Sequence, residues 1–239
     1  MVEVITESVR RQLRAELLTA VKALKSRVKK TDKYTNRMDW KKPERVQKYG
    51  SVAALKNESD LSALCADMAE CRLCRLGTTR NNLVFGDGNA RSKVVFVGEA
   101  PGADEDEQGL PFVGRAGQLL TKIIEAMGLN RKDVYICNIL KCRPPQNRNP
   151  LPDEIAACEP FLKQQLKSIS PQVICALGTF AAQTLLKTEV PISVLRGRFH
   201  FYEGIKLMPT YHPAYLLRNP SAKKLVWEDV QVIMKELKN

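Results

Sequence analysis

The chain has 239 residues, 44% of them hydrophobic, with 38 Lys and Arg against 26 Asp and Glu for a formal net charge of +12. That apolar content excludes a disordered tail, and no run reaches the roughly 18 apolar residues of a membrane span, so no membrane association is expected. The length suits one domain plus an appendage, and the positive balance fits a phosphate-rich partner, although a basic surface also serves solubility.

Residues 1–60 differ from the rest, holding 15 Lys and Arg against 8 Asp and Glu, a net charge of +7. Val9, Leu13, Leu17, Val21, Leu24 and Val28 recur at spacings of three and four, which predicts an amphipathic helix. Two readings fit this segment: a solvated helix packed on the body, or an arm that contacts DNA or a partner. Residues 31–50 are polar and aperiodic and read as a linker. The opening MVEVITES lacks an apolar signal region, so no export and a cytoplasmic location are expected.

From residue 61 to 239 the pattern alternates and reads as one domain. Lys93–Val97, Val134–Leu140, Gln172–Leu177 and Ile205–Met208 read as strands. Gln118–Met127, Pro152–Leu166, a helix capped by Thr179, and Lys224–Leu237 read as helices. Strands separated by helices predict an α/β fold with a central parallel four-stranded sheet flanked by helices, preceded by an N-terminal helical extension. Ligands bind beyond the carboxyl ends of such strands. That rule points to three segments: Gly98 to Gly102, Asn138 to Asn147, and Tyr211 to Pro213.

Gly98-Glu99-Ala100-Pro101-Gly102 and Gly109-Leu110-Pro111-Phe112-Val113-Gly114 make a Gly- and Pro-rich loop ahead of a helix, where backbone can approach a ligand closely. Neither phosphate-binding glycine fingerprint is present. Asp104 to Glu107 between the two halves reads as an acidic loop, either solvated or able to position a water. Of seven cysteines, Cys137 and Cys175 lie in apolar strand runs and read as core. The odd number and the absence of an export signal argue against a disulfide framework. Cys71, Cys74, Cys142 and Cys158 remain in less regular surroundings, with Cys65 in a helical stretch. Four thiolates gathered from distant loops suit zinc or an iron–sulfur cluster, and spacing does not separate the two.

The strings GEAPGADEDEQGLPFVGRAGQLL, NILKCRPPQNRNP and HPAYLLRNP, in that order, closely resemble the family 4 uracil-DNA glycosylases, the iron–sulfur branch of that superfamily, over about residues 61–238. The resemblance implies hydrolysis of uracil from single- or double-stranded DNA to initiate base excision repair, leaving an abasic site, by a monomer. It implies one [4Fe–4S] cluster on Cys71, Cys74, Cys142 and Cys158. It places Asn138 on the uracil N3–H and O4, Phe112 as the stacking platform, backbone of Gly98, Glu99 and Ala100 on the remaining edge, and His212 against O2. The residue after Glu99 is Ala100, neither acid nor base, whereas in the better-known branch an Asp follows the loop glycine and helps activate water. A water-positioning carboxylate is therefore sought first in Glu99 and second in Glu105. Leu216 or Leu217 is expected to fill the gap left by the extruded base. Arg218, Asn147 and Arg148 are expected on the DNA. The rival readings are a glycosylase of broader specificity, a cluster-bearing redox protein and a zinc-stabilised nucleic-acid module. Glu99, Asn138 and His212, each after a strand, have no use in a redox carrier.

Overall fold

The computed structural model describes residues 58–238. The amphipathic helix and the linker expected nearer the N-terminus lie outside the described residues. Helix α1 (Glu58–Ala69) turns Leu61, Leu64 and Met68, spaced by three and four, into the core. Strands β1 (Asp87–Gly88), β2 (Val94–Gly98), β3 (Tyr135–Asn138), β4 (Val173–Leu177), β5 (His200–Tyr202) and β6 (Ile205–Thr210) form one sheet in the order β1-β3-β2-β4-β6-β5. The inner four run parallel, as the alternation predicts. The two edges, β1 and β5, are antiparallel additions of two and three residues that carry too short a pattern to read from sequence.

Helices cover both faces, which is why β2, β3 and β4 are buried at every position. Val95, Val97, Cys137, Ile174 and Leu207 meet α1, α4 (Pro152–Ile169) and α5 (Thr179–Leu186) on one side. Val94, Phe96, Ile136, Cys175 and Met208 meet α3 (Arg115–Ala126) and α8 (Lys223–Glu236) on the other. Cys137 and Cys175 are thus core residues. Burial drives the Cys175 thiol far above its ordinary range, so it stays protonated.

Three local expectations change. The acidic stretch is not a loop but helix α2 (Ala103–Gln108), whose carboxylates sit in its first turn where the helix dipole favours them. Gly109 ends it in the left-handed region at φ 72°. The segment after the His-Pro pair is helix α7 (Pro213–Arg218), and α6 (Ile192–Leu195) precedes β5. The cap of α5 is Gly178, with Thr179 its first residue. No helix among the described residues is long and apolar enough to cross a membrane.

Candidate active site

Register places Gly98, the last residue of β2, directly opposite Asn138, the last residue of β3. A Cβ on Gly98 would stand 2.3 Å from Asn138 Oδ1 and 2.6 Å from Phe112 Cζ, so glycine is what lets the amide and the ring share this space. Asn138 is 1% exposed, and its Oδ1 is buried without a hydrogen-bond partner. An orphaned acceptor of this kind costs about 1–3 kcal/mol unless something fills it. Phe112 holds a left-handed backbone, φ 53°, and its ring lies 5.6 Å from that of His212 at an interplanar angle of 32°. The carboxyl ends of β2 and β3 and the residue two beyond β6 therefore contribute to one site.

His212 is fixed by its own helix. It caps α7, and its Nδ1 accepts the Ala214 N–H at 3.1 Å. Burial, helped by the nearby Arg218 guanidinium, holds the imidazole down at about 4. At neutral pH the ring is uncharged with its proton on Nε2, a donor in a single tautomer. Gly178, at φ 91°, supports it from below, since a Cβ there would meet His212 Cβ at 2.9 Å. Just ahead, Thr210 donates to Asp229 Oδ2 at 2.5 Å, and Arg196 grips the same carboxylate through Nε at 2.9 Å. The strand end that launches His212 is thus anchored to α8.

The Phe112 loop is tied from two sides. Glu105 Oε1 accepts the N–H groups of Val113 and Gly114 at 2.9 and 3.0 Å, while Oε2 accepts that of Gly102 at 3.0 Å. Arg131 donates to the carbonyls of Pro111 and Phe112 at 2.8 and 3.0 Å. This occupation corrects the expectation that Glu105 positions water: its oxygens hold three backbone donors and staple the two glycine loops together. Glu99 contrasts with it. Its carboxyl has no hydrogen bond or ion pair among the described residues, and burial pushes it up to about 7. Ala100 is half-buried against the core.

Cys71, Cys74, Cys142 and Cys158 line a common cavity with Arg80, Gly77 and Phe161. Cys65, half-buried in α1, is absent from that lining. Arg80 donates to Cys142 Sγ at 3.1 Å. Burial pushes the Cys158 thiol up to about 12 and raises Cys142 and Cys74. Thiolates at these positions need the positive charge of a bound metal group. Among the described residues no group of three or more His, Cys, Asp or Glu is arranged to hold a metal ion. The four thiols instead surround a space.

The expected DNA contacts divide. Leu217 is 39% exposed and Arg218 is exposed on α7, consistent with an outward role. Leu216, by contrast, is 1% exposed and packs into the core under α3 and α8, so it is not free to enter a duplex. Arg148 is also spoken for: its guanidinium holds Glu154 through two bonds of 2.9 and 2.5 Å. Asn147 is exposed at φ 54° and accepts from Arg143 Nε at 2.8 Å. Sequence reasoning passed over Arg131, whose partners lie some twenty residues away, and Lys141, whose signal is a lone charge in the apolar run between Leu140 and Cys142.

The profile of the Uracil DNA glycosylase superfamily matches residues 85–231. The chain is 48% identical over 166 residues to a Type-4 uracil-DNA glycosylase of Thermotoga maritima, covering 68% of this chain and 86% of the relative. It is 43% identical over 187 residues to a Type-4 uracil-DNA glycosylase of Saccharolobus solfataricus, covering 74% and 87%. A Type-4 uracil-DNA glycosylase of Archaeoglobus fulgidus is 44% identical over 181 residues, covering 72% and 91%.

Proposed function

The chain belongs to the uracil-DNA glycosylase superfamily, in its type-4 branch, and we propose that it hydrolyses the N-glycosidic bond of uracil in DNA and leaves an abasic site. The observation that carries this reading is the buried, unpartnered Oδ1 of Asn138 beside Phe112 and His212. Uracil offers N3–H to that acceptor and O4 to the amide N–H of the same side chain, whereas cytosine presents the opposite pattern and is rejected. The Phe112 ring stacks on the base. Backbone of Gly98, Glu99 and Ala100 meets its remaining edge.

As the C1′–N1 bond breaks, the base leaves as an anion with charge on O2, and the sugar becomes cationic. His212 Nε2–H donates to O2. A neutral imidazole keeps its proton there because Nδ1 is held by Ala214. The Glu99 carboxylate orients the water that adds to C1′ and offsets the sugar's charge. Leu217 fills the vacated stack and Arg218 meets a phosphate or the orphan base.

The four-cysteine cavity fits an iron–sulfur cluster: the thiols surround a space rather than a point, and burial keeps them protonated without a compensating cation. A [4Fe–4S] cluster on Cys71, Cys74, Cys142 and Cys158 supplies a structural cross-link when bound. Cys71 and Cys74 would thereby be joined to the loop after β3 and to α4, the loop being the one that follows Asn138.

Oligonucleotides carrying one uracil, single-stranded or opposite guanine, test the reaction. Free uracil and an alkali-labile site should appear, with thymine and cytosine spared. Asn138→Asp keeps the size and loses the amide donor, and kcat/KM should fall roughly 30- to 1000-fold, the worth of a buried contact of about 2–4 kcal/mol. Wild-type protein that binds uracil-containing DNA yet yields no abasic site refutes the activity. Full activity in Asn138→Asp refutes the base reader. Anaerobically purified protein should contain iron and no stoichiometric zinc.

A further inference from the structure

Lys141 is the one lysine among the described residues that is fully buried, at 0% exposure. Its Nζ donates to the Asn138 carbonyl at 2.8 Å. No carboxylate among the described residues lies within ion-pair distance of it. A cation taken wholly out of water and given only a carbonyl is costly, and such a group persists where an anion faces it. The groups it acts on are thiols: its field favours the thiolate form of Cys158 and of Cys137, and its backbone N–H donates to the Cys158 sulfur. Its own carbonyl accepts the Val84 N–H at 2.9 Å, fixing the segment in place. One residue therefore bonds the cysteine site through its backbone and the base-reading strand end through its side chain.

We propose that Lys141 is a positioning residue that couples the cysteine-bound cluster to the base reader, its buried amine serving as counter-cation to the thiolates while its bond to the Asn138 carbonyl sets the strand end from which the amide reads uracil. The proposal rests on the reading of the four cysteines as cluster ligands and of Asn138 as the reader. Four thiolates outweigh the positive core of a [4Fe–4S] cluster, so the loaded site is a net anion, the partner that the buried amine lacks. Outer contacts of this kind hold a metal group's ligands in place and tune it, typically at 10- to 100-fold in affinity or activity.

The test uses iron-loaded protein and two readouts besides catalysis: the cluster's midpoint potential by protein film voltammetry, and the affinity for free uracil by calorimetry. Lys141→Met removes charge and donor at similar length. Its potential should move to more negative values, because the reduced, more anionic cluster loses a nearby cation, and its affinity for free uracil should fall by about 10- to 100-fold. Lys141→Gln keeps a donor for the Asn138 carbonyl. It should match the Met variant in potential and lie between it and wild type in uracil affinity. A residue that only fills space would leave the potential of a folded, iron-loaded variant unmoved, and that result overturns the proposal. If neither variant folds, the unmodified protein decides: coupling between two sites is reciprocal, so saturating uracil should shift the cluster's potential, and a potential blind to uracil overturns it. Wild-type protein without iron would instead remove the cluster reading beneath it.

Discussion

The sharpest consequence of the site is a proton on Glu99. Burial raises this carboxyl from 4.5 to about 7, so near neutrality half of the free enzyme lacks the carboxylate that orients water. Log kcat/KM should rise with unit slope as pH approaches 7 from below and level off above it, because that parameter reports the free enzyme's essential groups. His212 does not produce this limb, since its imidazole is held at about 4. Glu99→Gln should cost 10²- to 10⁴-fold in kcat/KM and flatten the profile between pH 5.5 and 7.5. The same substitution reads out in stability. A carboxyl raised on folding contributes stability that is complete below its unfolded value and is lost as pH rises through its folded value. The cost is therefore present at pH 8 and absent near pH 4.5. At 1.36 kcal/mol per unit the shift sets an upper bound of about 3 kcal/mol, and partial access to solvent reduces it to about 1–2 kcal/mol. Glu99→Gln should thus melt higher than wild type at pH 8 and nearly with it at pH 5. A wild-type profile with no limb near 7, or a limb that survives unchanged in Glu99→Gln, refutes the reasoning.

Two neighbouring leucines should separate cleanly. Leu216→Ala removes a core side chain and should cost about 2–5 kcal/mol in denaturant unfolding, whereas Leu217→Ala should unfold like wild type and lose more activity on a U·G duplex than on single strands, where no stack needs filling. The two arginines should separate by salt. Arg218→Ala should reduce the slope of log binding constant against log salt on duplex DNA by about 0.9, while Arg148→Ala should leave that slope unchanged and lower Tm, because it strips Glu154 of its main partner.

What could be read in the sequence follows the range of the forces involved. The four parallel strands announce themselves as apolar runs because both faces of each are covered. The strand-end rule then locates Gly98, Asn138 and His212 without any knowledge of distance. Edge strands β1 and β5 leave no such run, since two or three half-covered residues carry no period. Helix α2 was legible in principle: Glu105 stands three residues after Gly102, the spacing at which a carboxylate reaches back to a cap N–H, and Gly109 marks the left-handed exit.

The misassigned residues share one cause. Glu105, Arg148 and Leu216 each have the chemistry their expected role demands, and each is consumed by a partner: backbone N–H groups for Glu105, the carboxylate of Glu154 for Arg148, the apolar faces of α3 and α8 for Leu216. Glu99, Arg218 and Leu217 have no such partner among the described residues, and they are the ones left to meet a substrate. A side chain's type says what it can do, but whether it is free depends on contacts that the sequence spreads over tens of residues. The same argument runs in reverse for Asn138. Its amide oxygen is buried and yet unpaired, so the folded chain carries a cost at that atom which only a donor from outside can relieve. Uracil's N3–H is such a donor, and the cost is the reason the pocket discriminates: thymine fails on size and cytosine on hydrogen-bond polarity, since its N3 is an acceptor and would leave Oδ1 facing a lone pair.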